Sequence, residues 1–295
     1  MDKCEDCVMF SKFNPKKLGI DKRYVFLIGN GINIAMGNEY SWNDLLYSIA
    51  DCKQKSLLFA NGRIPKLTPT ETLNAIQFTR KDPHDNFIGE VAKKIKKIKF
   101  AKRKKSSLLD YIKREEINVL TTNFDLNIEK YIDKSVSCDI KSGNKCYNFE
   151  SRKIGNLHIW HLHGSIDKYR TILFSMTRYM RAAKKIVDEL NNNKSGNISV
   201  DFKKTWIWQL LSRPLVIAGL ALSPCELLLR WLLIEKAMNA KRVYGIEQDL
   251  PQSYYLHRKN ECPDELSTFL KLVNIQPICM GDDVFNNDVW KEAIN

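Results

Sequence analysis

The chain has 295 residues, 44% of them hydrophobic, a formal net charge of +13 and an isoelectric point near 9.3. That length supports a folded, enzyme-sized unit, one large α/β domain or two unequal lobes around a real core. No apolar run reaches the roughly 18 to 20 residues of a membrane span, and the opening MDKCEDCVMFSKF lacks a signal peptide's basic-then-apolar layout, so a cytoplasmic protein is expected.

In chain order, residues 1–20 form an N-terminal extension whose Cys4 and Cys7 are the only C-x-x-C. With eight scattered cysteines and no second close ligand pair, free thiols fit better than zinc or a disulfide framework. Tyr24 to Ile28 is a continuous apolar run, as buried parallel strands are. It ends in Gly29-Asn30-Gly31, where glycines allow either close approach to a pyrophosphate or simply a tight packing turn.

Residues 41–112 are mainly helical in pattern, including Trp42 to Ala50 and Thr70 to Phe78, and predict a helical cap inserted over the sheet. The run Lys93 to Lys105 (93–105, KKIKKIKFAKRKK) is a solvated basic helix face or a nucleic-acid contact, with Ile95, Ile98 and Phe100 gathered on one side. Ile117 to Leu120 is the next strand. It delivers Thr121-Thr122-Asn123-Phe124-Asp125, polar groups that serve a ligand or cap a helix.

Three of the five histidines fall in His158-Ile159-Trp160-His161-Leu162-His163-Gly164-Ser165. Strand alternation would put His161 and His163 on one face, as in a metal site, but no acidic or cysteine pair completes one. His163, followed by Gly-Ser, suits a general base or a partner of ribose hydroxyls. Asp188 to Asn197 predicts a polar loop. Pro214 to Leu220 predicts a strand leading through Gly219 to a helix carrying Leu227 to Ile234. Arg242 to Ile246, before Glu247, and Ile275 to Met280 predict two more strands, the last followed by a short helix. Alternating strands and helices predict a doubly wound, Rossmann-like parallel sheet with ligands at the strands' carboxyl ends.

GNGIN, TTNFD, HLHGS, Gly219 to Pro224 and Tyr244-Gly245-Ile246-Glu247 occur in the order of the sirtuin-like family, which the chain resembles. Ser41 to Leu46 and ELLLRWLL (226–233) make it most similar to the microbial sirtuin-like NAD hydrolases of anti-phage defence. The resemblance implies that NAD is the substrate. It implies that Asn123 holds the nicotinamide ribose or the attacking water, Asp125 supports the nicotinamide pocket and His163 meets the ribose hydroxyls. Gly29, Gly31 and Asn33 would line the phosphates, Gly219 and Ser223 would approach phosphate and ribose, and Glu247 would meet the adenosine ribose. The four-cysteine zinc module of the deacetylases is missing between His163 and the Pro214 strand, as is their Pro-x-Phe-Arg stretch.

The expected activity is therefore NAD glycohydrolysis, with no metal. A protein deacylase and a non-catalytic NAD or ADP-ribose binding subunit are the alternatives. A partner such as an ATPase or a nucleic-acid-guided protein is also implied. Trp206, Trp208 and Trp231 are core residues or contacts of a homo-oligomer.

Overall fold

The computed structural model describes residues 13–37, 41–61, 63–80, 84–97, 104–137, 147, 149–194, 198–245 and 250–294. Cys4, Cys7, Glu247 and the 98–103 part of the basic run lie outside these. Nine strands are described: β1 (Val25–Ile28), β2 (Phe59–Ala60), β3 (Ile64–Pro65), β4 (Asn118–Thr121), β5 (Arg152–Ile154), β6 (Leu157–His161), β7 (Leu215–Ala218), β8 (Ser253–His257) and β9 (Ile275–Cys279). Seven form one sheet in the order β5-β6-β4-β1-β7-β8-β9. Every neighbouring pair in it is parallel except the edge hairpin β5-β6.

Apart from that antiparallel edge strand, the order is the doubly wound 3-2-1-4-5-6 arrangement, which reverses direction between β1 and β7. Residues alternate across a strand, so a strand at the centre of such a sheet must be apolar on both faces. In β1, Phe26 and Ile28 enter one core layer with Tyr111, Trp290 and Phe13, while Val25 and Leu27 enter the other with Trp206, Leu232 and Leu233. Trp206 is fully buried there, and Trp208 and Trp231 pack against the same layer from its margin.

Between β1 and β4, helices Trp42–Ile49, Cys52–Leu58, Pro69–Arg80 and His84–Ile95 and the β2-β3 hairpin build a third apolar cluster. Ser41 and Asp51 start the first two of these helices with capping boxes, each pairing its side chain with the third helical residue. Phe124, Ile172 and Phe174 from the sheet side complete this cluster, so the cap is docked along the strands' carboxyl edge. Helix Ser107–Arg114 instead lies on the sheet layer, against the terminal helix Asp288–Ile294.

Three expectations are corrected. The described part of the expected Arg242 to Ile246 strand is not a strand: helix Leu227–Tyr244 takes in Arg242, Val243 and Tyr244 and stops at Gly245, whose left-handed φ of 61° caps the helix, while Ile246 lies outside the described residues. The strand in this part of the chain is β8, in which all five residues are buried. Residues 188–192 of the predicted loop are the end of helix Met176–Asn192, held by Ala182, Ile186 and Leu190 at four-residue spacing. Finally, β6 ends at His161, so His163 lies in the turn beyond it and the two histidines share no strand face.

Candidate active site

The glycine turn after β1 is built against the equivalent turn after β7. The Gly31 N-H donates to the Gly219 carbonyl at 2.8 Å. A Cβ on Gly29 would stand 2.4 Å from the Gly219 oxygen, and one on Gly31 would stand 2.6 Å from the Gly219 Cα. Gly219 itself has φ +64°, and a side chain there would also meet the Phe285 ring at 2.6 Å. Backbone contact of this kind is possible only without Cβ atoms. It occurs at the point where strand order reverses, where open α/β sheets form their ligand crevice.

That crevice is a cleft of about 690 Å³, a volume suited to a dinucleotide-sized ligand. Gly31, Gly219, Ser223 and His163 line it. The imidazole of His163 is 13% exposed, between Phe124 and Tyr179 at ring separations of 6.3 and 6.1 Å, with Nε2 3.9 Å from Glu226 Oε2. Burial pushes its pKa down and Glu226 only partly opposes this, so the ring is neutral at neutral pH and able to accept a proton. Gly164 follows at φ +83° with its α-carbon side pressed on Thr171, where a Cβ would come within 2.3 Å of the carbonyl oxygen. The residue after His163 must therefore be glycine for the turn to aim the ring into the cleft.

Asn123 and Asp125 lie beside the cleft, in a recess of about 30 Å³. The recess shares Asn30, Trp42, Thr122 and Phe124 with the main cavity. A space of that size suits a water molecule. Thr121 Oγ1 donates to the Ile28 carbonyl at 2.8 Å and accepts the Asn123 N-H at 3.1 Å, locking the turn after β4 to β1. The Asn123 amide donates to the Gly29 carbonyl at 3.3 Å.

Gly29 and Asn33 stand behind the cleft wall. Asn33, 1% exposed, donates Nδ2 to Asn30 Oδ1 at 2.9 Å and to Asp125 Oδ2 at 2.8 Å, and accepts from Asn127 Nδ2 at 2.9 Å. Burial pushes the Asp125 carboxyl above the usual range, against the donors Asn33 and Asn127. This carboxyl-amide cluster fixes the floor of the recess. Asn33, expected at the phosphates, lines neither cavity and instead holds Asn30, which lines both.

Several site residues were not singled out from the sequence. His161, weighed from the sequence only as half of a metal pair, has a ring that joins the Asn123 carbonyl to Glu129. Glu226 entered only as part of an apolar helix motif. Lys104, from the end of the basic run, lines the cleft and donates to the Ala35 carbonyl at 3.2 Å. Arg258, Asp282 and Asp283 line the cleft from the loops after β8 and β9. No local signal marks these residues, since each depends on strand order for its position. Among the described residues, no group of three or more His, Cys, Asp or Glu could hold a metal ion, and no helix is long and apolar enough to cross a membrane.

The family model of the SIR2-like domain matches residues 117–278, more than half of the chain. The chain belongs to the SIR2-like family. No curated protein matches it. SIR2-like membership ties the chain to NAD, and the matched span contains Asn123, Asp125, His163, Gly219 and Ser223. The glycine turn after β1 precedes that span and is joined to it through the Gly31-Gly219 contact.

Proposed function

We propose that this SIR2-like chain hydrolyses NAD between nicotinamide and ribose, releasing nicotinamide and ADP-ribose. One observation carries the reading: the neutral His163 ring faces a dinucleotide-sized cleft, and a water-sized recess beside Asn123 shares four wall residues with that cleft. Nicotinamide leaves as a neutral molecule from a cationic precursor, so no general acid is needed. The electrons of the breaking C-N bond neutralise the pyridinium nitrogen. The remaining work is to hold the ribose, direct one water to its anomeric carbon and take up the proton that the water loses.

In this reading Asn123 orients the water or the ribose and His163 Nε2 accepts the proton, a contribution of about 100- to 10,000-fold. Trp42 packs edge-on against Phe124 and Phe174 at ring separations of 5.2 and 5.5 Å, the two phenyl rings lie tilted at 4.6 Å, and together they keep bulk solvent from the reacting carbon. Depletion of NAD in anti-phage defence, which the sequence resemblance implies, belongs to the same proposal.

The test is product analysis of purified chain with NAD, with and without an acyl-lysine peptide. Nicotinamide and ADP-ribose formed without peptide are the expected result. Nicotinamide release only in the presence of peptide, yielding a deacylated product, overturns the proposal in favour of a deacylase. Binding of NAD without turnover overturns it in favour of a regulatory module.

A further inference from the structure

At the opposite edge of the sheet, where β1, β4 and β7 begin, lies an open trough of about 840 Å³. Among the described residues, four cations line it, Lys22, Arg23, Lys203 and Arg213, against the single carboxylate of Glu116. Arg23 is taken by Asp21 at 3.0 Å, and Glu116 accepts the Asn156 amide at 2.6 Å. Arg213 is different. Its Nη1 donates to the Lys22 carbonyl at 2.8 Å, its guanidinium has no carboxylate partner among the described residues, and burial alone pulls its pKa down.

A partly buried guanidinium with no counter-charge among the described residues has lost part of its hydration, and an anion entering the trough offsets that loss. Lys203, exposed and also without a carboxylate partner among the described residues, lines the same trough. Trp208 adds a half-buried indole, held edge-on by Phe202 at 5.9 Å. Cations beside an aromatic wall suit a phosphate attached to a planar base.

We propose that this trough is a second ligand site that takes the phosphate of a nucleotide, with Arg213 and Lys203 on the anion and Trp208 beside the base. The site is separate from the cleft and does not depend on the NAD reaction. A free nucleotide and a single strand of nucleic acid offer the same chemistry, and the experiment separates them.

Equilibrium binding of ATP and of a short single-stranded oligothymidylate is measured with the full chain, with Lys203→Glu and with Lys203→Glu/Arg213→Gln. Lys271→Glu, an exposed position away from the trough, controls for the change in net charge. The expected result is binding that weakens about tenfold or more in the trough variants and not in the control, since each lost contact is a charge-assisted hydrogen bond. Lys203→Glu alone keeps the test valid if the double variant does not fold.

A preference for ATP that does not increase with oligonucleotide length identifies a free nucleotide. Affinity that rises with length and falls steeply with salt identifies a strand. No binding of either probe at millimolar concentration, or binding equal in trough variants and control, overturns the proposal.

Discussion

His161 and Glu129 form a buried pair, with Nε2 2.6 Å from Oε1 and the carboxylate fully shielded from solvent. The other ring nitrogen lies 2.6 Å from the Asn123 carbonyl, so it carries the proton that this acceptor requires. Burial pulls the His161 pKa down, but the charge and hydrogen bond of Glu129, together with the Asn123 carbonyl, more than reverse this, leaving it raised. The ring thus holds the backbone of the residue whose side chain borders the recess. A raised folded-state pKa gives stabilisation that is complete below the unfolded value of about 6.5 and is lost as pH climbs through the folded value.

Glu129→Gln should therefore lose about 3 kcal/mol of stability, the scale for breaking a buried ion pair. The loss should be larger at about pH 5.5 than at about pH 8, because without the carboxylate the buried ring resists protonation. Thermal melts of both proteins across pH check this. Equal losses at both pH values would mean that His161 is neutral in the native state.

His163 has the opposite environment. Its lowered pKa keeps the base form available below about pH 6.5, so the acid limb of the NAD cleavage rate should lie below that value. Glu226 raises the pKa, and Glu226→Gln should move the limb to still lower pH. His163→Ala should lose roughly 100- to 10,000-fold in rate while melting near wild type. Rate-pH profiles of the three proteins decide this, and a limb that Glu226→Gln leaves in place would remove Glu226 from the site's electrostatics.

Gly29→Ala should destabilise by about 1 to 3 kcal/mol, since its Cβ would press on the Gly219 carbonyl and the Leu220 backbone rather than on a flexible side chain. The same change should weaken NAD binding by opening the Gly31-Gly219 contact. Gly155→Ala meets nothing within 4 Å and isolates the cost of a left-handed backbone at φ +58°. Chemical denaturation of both variants, with NAD titration of Gly29→Ala, measures the two effects.

Lys236 donates to the carbonyls of Leu210, Leu211 and Arg213 at 2.6 to 2.9 Å, closing the end of helix Trp206–Ser212. Burial pulls its pKa down to about 7. Between that value and about 10.4 the unfolded chain binds the extra proton, so this group makes stability rise with pH. Comparison of wild type with Lys236→Met from about pH 7 to about pH 9 should show that rise in wild type alone. Parallel pH dependence in the two would refute it.

The sequence made β1 and β7 legible because a strand buried on both faces is apolar throughout, and the glycines after them mark their ends. β8 was not legible because two of its buried positions are polar. Ser253 is one, with Oγ accepting the Leu215 N-H at 3.0 Å, and His257 is the other. Arg242 to Ile246 misled in the other direction. Its Val, Tyr and Ile resemble a strand, although basic residues before a glycine are also how a helix ends.

His163 and Asn123 were readable from local motifs. The partners that set their state, Glu226 and Glu129, were not, because each pairing joins segments that meet only through sheet topology. Asn33 was readable as a candidate, but its place behind the wall was not, since only the fold reveals its contacts with Asp125 and Asn127.

β1 and β7 each start beside the trough and finish at the glycine contact, and four residues of extended chain cover only roughly 13 Å. The trough and the glycine contact are therefore only about one strand length apart. A tag, crosslinker or fusion joined at the Lys22 or Arg213 corner pulls on the two strands that carry the cleft's glycines, so it tests the chemistry as well as the corner.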